Sequence, residues 1–316
     1  MSHFLSIQDL EPAAVPRLFR LAADLKAQGK ARERQARLPG RTLALVFEKP
    51  SLRTRVTFEV AMVHLGGAAV YLGAQEIGLG RRESPADVAR NLSRWVDAIA
   101  ARVFAHGTVQ ELARHASVPV INALSDLEHP CQALADFFTL WERGLDLSRI
   151  RIAFVGDGNN VCHSVLLLAA MVGTSVTVAT PPGFEPEARI VQECRRRGGR
   201  VTITTEAREA VEGADVVYTD VWISMGQEQE RERRLEAFQR YQVNERLLRF
   251  AGSRALVMHC LPAHRGEEIT DEVLDGERSA VLDQAENRLH AQKAVLLHLL
   301  GADMSPAGDG GGRSCS

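Results

Sequence analysis

Short apolar runs recur along this chain, separated by stretches with helical spacing. The runs are TLALVF (42–47), AAVYL (68–72), AIAARVF (98–104) and VPVINAL (118–124), then, after a gap, RIAFV (151–155), SVTVAT (175–180), RVTITT (200–205), ADVVYTDV (214–221) and ALVMHCLP (255–262). Each is short and rich in β-branched residues, as strands are. Between them the pattern predicts helices over roughly 11–28, 53–65, 84–96 and 130–142, then roughly 162–172 and 186–197. In the 53–65 helix, Val56, Val60 and Val63 share a face, and Gly66 and Gly67 stop it. Strand–helix alternation on this scale is how a parallel sheet is covered on both faces. The expected fold class is therefore α/β, with two doubly wound parallel-sheet domains joined by interdomain helices.

A chain of 316 residues suits two domains of ~150 residues. GLDLS (144–148) reads as the junction. The first domain would span 1–145 together with the C-terminal helix 284–302 packed back on it. The second would span 149–283, and the Gly- and Ser-rich tail 304–316 is expected to be disordered.

The net charge of -2 gives no reason to expect nucleic acid or an anionic membrane as partner. No apolar run approaches the ~18 residues that span a bilayer, and MSHFLSIQDLEP lacks a signal-peptide pattern, so the expected location is cytoplasmic. Five cysteines lie far apart without a C-x-x-C pair, and the ten histidines form no standard ligand spacing. Reduced thiols and no metal are the expectation.

Several strand ends carry chemistry. In FEKPSLRTRVTFE (47–59) a helix begins with Arg53 and Arg55 in its first turn. Cations are unfavourable there, because the free N–H groups and the helix dipole are already positive. With Ser51 as N-cap and Thr54 adding a hydroxyl, the turn reads as an anion clamp; a plain turn with solvated arginines is the alternative. In DLEHPCQ (126–132), His129 precedes a proline and is pushed to extended geometry, which sets His129 and Gln132 at another helix start. GDGNN (156–160) lacks the third glycine of a dinucleotide fingerprint and offers the amides of Asn159 and Asn160 instead. DVWISMG (220–226) supplies Asp220, suited to an ammonium group or to a turn cap. HCLPAHRGEE (259–268) supplies Cys260, a thiol that could equally be inert packing.

Taken together, FEKPSLRTR, HPCQ, GDGNN, DVWISMGQE, HCLPAHRGEE and DQAENRLHAQKA, in this order and at these separations, resemble the ornithine carbamoyltransferases over essentially the whole chain except the tail. The resemblance implies carbamoyl phosphate on the N-terminal domain, L-ornithine on the other, a homotrimer with active sites at subunit contacts, and no cofactor. By that resemblance Ser51, Leu52 (through its N–H), Arg53 and Thr54 hold phosphate, and Arg102, His129 and Gln132 hold the phosphate and carbamoyl oxygens. Asn160, Asp220, Ser224 and Met225 bind ornithine; Cys260 and Leu261 lie beside the reacting amine, and Arg288 reaches in from the C-terminal helix. Arg53, Arg102, His129 and Cys260 are the implied catalytic set. Two departures stand out. Leu52 replaces a threonine common in the family, and Gly78 occupies the place of a glutamine or histidine that reaches a neighbouring subunit's phosphate. Gln75, Arg81 and Arg82 are candidates to take over that contact.

The implied reaction is attack of the ornithine δ-amine on the carbonyl of carbamoyl phosphate, giving L-citrulline and phosphate. Rivals are a carbamoyltransferase using putrescine, acetylornithine or aspartate, an NAD-binding dehydrogenase built on GDGNN, and a non-catalytic protein that binds carbamoyl phosphate. The dehydrogenase predicts an acidic residue ~20 positions on, where Thr180 and Pro181 stand.

Overall fold

The computed structural model describes residues 2–31, 36–224, 226 and 228–301, so the tail expected to be disordered lies outside the described residues. The chain forms two parallel sheets. The first contains β1 (Thr42–Phe47), β2 (Ala68–Leu72), β3 (Ala98–Arg102) and β4 (Val120–Leu124) in the order β2-β1-β3-β4. The second contains β5 (Arg151–Val155), β6 (Ser175–Ala179), β7 (Arg200–Thr204), β8 (Val216–Thr219) and β9 (Leu256–His259) in the order β7-β6-β5-β8-β9. Every pairing is parallel. Leu43 to Phe47 are all buried, as expected for an inner strand covered on both faces. The α/β class expected from the alternation is what the chain adopts.

The helix after β1 runs Leu52–His64 and buries Thr54, Phe58, Ala61 and Met62. The face carrying Val56, Val60 and Val63 does not pack into the core: Val56 is 43% and Val63 67% exposed. Bulk decided the matter, because Phe58 and Met62 fill the space over the sheet and turn the valines outward. The helix read over 84–96 closes early, at Pro85–Leu92, where the Ser93 hydroxyl donates back to the Ala89 carbonyl (2.7 Å). A helix at His106–His115 was not expected. Val109, Leu112 and Ala113 form its buried stripe, but its N-cap is Ala105, which makes no side-chain cap, so it lacks the usual start signal.

The last helix, Val281–Leu299, lies against the Pro130–Glu142, Ala14–Lys30 and Leu52–His64 helices of the first half. Buried Lys26 helps hold it, donating to Glu142 (2.9 Å) and to Asn287 (2.8 Å). No helix among the described residues is long and apolar enough to cross a membrane.

Candidate active site

The C-terminal ends of both sheets open onto one cavity of about 990 Å³. Ligands of open α/β sheets bind at such edges, since the strand-to-helix loops place side chains and helix N-termini there. Ser51, Leu52, Arg53, Arg102, His129, Gln132, Asn160, Asp220, Ser224, Cys260, Leu261 and Arg288 all line it. Thr54 does not, and Met225 lies outside the described residues.

The first half supplies a cationic wall. Ser51 is the N-cap of the Leu52 helix, its hydroxyl accepting from Thr54 N (3.3 Å). Arg53 follows in the first turn, half-buried. Arg102 ends β3 and is buried, with its Nε sealed and unpartnered. Arg288, from the last helix, donates to Gln132 Oε1 (2.9 Å) and to the Thr54 hydroxyl (2.8 Å), leaving its own Nε unpartnered. Thr54 thus holds a guanidinium from behind rather than facing the cavity. Burial pulls Arg102 down to about 10, with the charge of Arg288 next in effect. Such a group of cations is poised for an anion.

His129 caps the Pro130–Glu142 helix at φ -128°, ψ 67°, non-helical as its position before proline requires. Its ring is buried and its Nδ1 has no partner. Burial first, then Arg288 and Arg102, hold its pKa well below the ordinary histidine range, so the imidazole is neutral at pH 7. A neutral ring keeps one N–H to donate to an oxygen.

The second half supplies an acidic wall. Cys260 Sγ donates to Asp220 Oδ1 (3.0 Å), and Asn159 Nδ2 donates to Asp220 Oδ2 (2.8 Å). Burial, reinforced by the Asp220 charge, pushes the Cys260 thiol far up, so it stays protonated. A protonated thiol is a donor and not a nucleophile. Asn160 opens the Asn160–Val172 helix, and its amide donates across to the Ser125 carbonyl (2.6 Å), linking the two walls. Leu261 sits at φ 59° on a cis bond to Pro262, with its N–H donating to His259 Nδ1 (2.9 Å).

The GDGNN turn is built for packing rather than for a dinucleotide. Gly158 N donates to the Phe184 carbonyl (2.9 Å), and a Cβ at Gly158 would fall 2.2 Å from Pro186 N. The 183–186 loop therefore covers the turn against which a pyrophosphate would have to rest, and Asn159 caps the helix with its own side chain. This removes the dehydrogenase reading.

The sequence reading missed two contributors. Lys49 lines the cavity beside Arg53, with its ammonium 4.6 Å from the Phe104 ring centre; treating every residue just past a strand end as a ligand position would have found it. Buried Arg234 pairs with Asp157 (3.0 Å) and donates to the Trp222 carbonyl (2.9 Å), bracing the Asp220 loop. It sits in the charged 227–240 stretch, which carried no motif.

The profile of the aspartate/ornithine carbamoyltransferase carbamoyl-phosphate-binding domain matches residues 2–142, and that of the Asp/Orn-binding domain matches residues 148–299. The chain belongs to the aspartate/ornithine carbamoyltransferase family. An ornithine carbamoyltransferase of Archaeoglobus fulgidus is 52% identical over 303 residues, covering 96% of this chain and 99% of the relative. One described as anabolic, from Pyrococcus furiosus, is 50% identical over 301 residues, with 94% and 96% covered. Among solved structures, ornithine carbamoyltransferase from P. furiosus superposes with a TM-score of 0.91 at 50% identity, covering 95% and 97% of the two chains. The Burkholderia thailandensis enzyme does so with a TM-score of 0.88 at 39% identity, covering 95% and 99%.

Within this family the two departures have visible consequences. Leu52 is 74% exposed at the cavity mouth and offers no hydroxyl. Gly78 ends the Ala74–Ile77 helix in the left-handed region (φ 54°), and neither it nor Gln75, Arg81 or Arg82 lines the cavity of its own chain.

Proposed function

We propose that this protein is a carbamoyltransferase that moves the carbamoyl group of carbamoyl phosphate to the δ-amine of L-ornithine, giving L-citrulline and phosphate. The observation that carries the reading is the polarity of the cavity: Arg53, Arg102 and Arg288 surround a neutral His129 on one side, and Asp220 faces them from the other. Phosphate binds the N–H groups of the first helical turn and the Ser51 and Arg53 side chains; Leu52 contributes its backbone alone. Arg288 acts through Gln132 and Thr54, which fix the guanidinium.

Attack by the amine builds negative charge on the carbonyl oxygen. In this reading His129 and Arg102 donate to it, with Gln132 held by Asp136 (2.7 Å) alongside. The incoming group is an ammonium with pKa near ~10 and must lose a proton. Asp220 accepts hydrogen bonds from it and Cys260, as a neutral donor, fixes the Asp220 carboxylate. That first proton goes to solvent before attack, and the departing phosphate takes the second from the nitrogen as the C–O bond breaks. Asn160, Ser224, Met225 and Leu261 complete the ornithine side.

Aspartate as acceptor fits less well, because its second carboxylate would need a cation on the acidic wall. There Arg234 is committed to Asp157 and Arg231 to Glu267. Exposed Leu52, Val56, Val63 and Val70 on and beside the Leu52 helix support a homotrimer in which a neighbouring copy's Gly78 region completes the phosphate side. The anabolic relative favours the direction of arginine synthesis, and the unpaired buried thiols suit the cytoplasm.

The test is citrulline formation from carbamoyl phosphate and L-ornithine, run beside putrescine, acetylornithine and aspartate. Arg53→Ala should lower the rate about 100-fold or more. Equal turnover with putrescine would sink the ornithine assignment, and binding of carbamoyl phosphate without citrulline would leave only a binding protein.

A further inference from the structure

The turn after β9 holds a second set of donors that carbamoyl transfer leaves unused. His264, Glu267 and Glu268 each offer one ligand atom within 4.8 Å of the others, and His264 Nδ1 lies near Glu267 Oε2 and Glu268 Oε2. All three atoms are sealed from solvent and none has a hydrogen-bond partner. Buried orphan acceptors are rare because each forfeits its hydration without replacement. Glu268 is the sharpest case, with a side chain that is 0% exposed.

The distances separate two explanations. His264 Nδ1 is 3.6 Å from Glu267 Oε2 and 4.0 Å from Glu268 Oε2. Both exceed the ~2.7–3.2 Å of an N–H···O hydrogen bond. Ligands held ~2.0–2.2 Å from a tetrahedral zinc-type ion are themselves roughly 3.4 Å apart, close to what is seen. The remaining carboxylate oxygens are already fixed, as metal ligands usually are. Glu268 Oε1 accepts from His259 Nε2 (2.9 Å) and from His264 N (2.6 Å), while Glu267 Oε1 accepts from Arg231.

We propose that His264, Glu267 and Glu268 form a binding site for one divalent transition-metal ion of the zinc type. One imidazole nitrogen and two carboxylate oxygens make a borderline donor set. Magnesium and calcium prefer six or more oxygens and fit it poorly. His264 also lines the cavity, which sets the site beside it. Its effect would run through Glu268 to His259, whose Nδ1 accepts from the Leu261 N–H (2.9 Å). The ion would thus stiffen the turn carrying Cys260 and Leu261 and act on the amine side of the cavity. That consequence rests on the carbamoyltransferase reading; the binding itself does not.

The experiment is calorimetric titration of zinc into chelator-treated full-length protein, with cobalt(II) as a spectroscopic probe. One equivalent should bind to wild type and to Cys260→Ser, and cobalt should show no sulfur-to-metal charge-transfer band. His264→Ala should weaken binding at least tenfold, and Glu267→Gln, which keeps the side-chain size, should do the same. Thermal unfolding in chelator shows that each variant is folded. Two results would overturn the site: no heat with wild type, or binding that survives both variants but disappears in Cys260→Ser. The latter would move the ion to Asp220, His259 and Cys260, whose ligand atoms also converge. Equal affinity for magnesium would overturn the nitrogen ligand. Zinc bound without citrulline formation would sink the functional reading alone; citrulline without zinc binding would sink this site alone.

Discussion

The two walls of the cavity handle charge in opposite ways. On the first, Arg53, Arg102 and Arg288 have no ion pair to a carboxylate among the described residues, and two of them keep an unpartnered Nε. On the second, each acidic group is held by at least one donor inside the protein. Asp157 pairs with Arg234 and Glu267 with Arg231, while Glu268 accepts from His259 and Asp220 from Cys260 and Asn159. Like charges left close together cost stability, and a dianionic ligand offsets that cost on binding. The second wall keeps the Asp220 carboxylate, held only by the neutral donors Cys260 and Asn159, to receive an ammonium group. The contrast predicts that carbamoyl phosphate binds before ornithine, because it completes the wall that is electrostatically unfinished; random addition in product-inhibition kinetics would count against this.

The largest effect should come from breaking the matched side. Arg234→Ala leaves Asp157 buried alone, and loss of one partner from a buried pair costs about 3–5 kcal/mol. Urea unfolding reads this, and an unchanged midpoint would show that the pair does not brace the wall. On the unmatched side the same kind of change should spare stability and strike the rate. Arg102→Ala is expected to lower kcat by about 100- to 1000-fold with its unfolding midpoint near wild type. Loss of stability with retained kcat would invert the comparison.

Glu128 tests the seam between the walls. Its Oε2 accepts from Ile7 N (3.1 Å) and from the Ser164 hydroxyl (3.3 Å), and Ser164 also accepts from His129 N (2.9 Å). Burial raises its pKa from 4.5 to about 7. The folded state holds this proton more tightly than the unfolded chain does. The favourable contribution is therefore complete below about 4.5 and is lost as pH rises through about 7. Glu128→Gln cannot ionise and should exceed wild type by roughly 2–3 kcal/mol at pH 8, with no such gain at pH 4. Parallel stability curves across that range would refute it. The smallest effect is expected at Cys260→Ser, which exchanges one neutral donor for another. About a tenfold rise in KM for ornithine, or ~1.4 kcal/mol, should appear with little change for carbamoyl phosphate. A burst of carbamoylated thiol in wild type would instead make Cys260 a nucleophile.

Much of this was legible beforehand because the signals are local. β1, β2 and the Pro130 helix begin and end where their apolar runs and Pro130 indicate, and Ser51 caps the Leu52 helix as its residue type suggests. The misreadings share a cause: they depend on what lies opposite. Whether Val56 or Phe58 faces inward is decided by the space above the sheet. Thr54 looks like a phosphate ligand until Arg288, 234 positions away, reaches its hydroxyl. Lys49 sits inside FEKPSLRTR without a role that its type announces, Arg234 belongs to no motif, and both matter only through neighbours brought to them by the fold.

By itself the sequence determined the layered α/β plan, the cation-bearing helix start and the family, since hydrophobic period, capping chemistry and motif order are properties of neighbours along the chain. Tertiary structure alone decided which charges are matched and which wait for a ligand. It also decided that Cys260 stays protonated against Asp220 and that His264 converges with two glutamates. Those outcomes depend on burial and on separations of a few ångströms between residues whose distance along the chain says nothing about their distance in space.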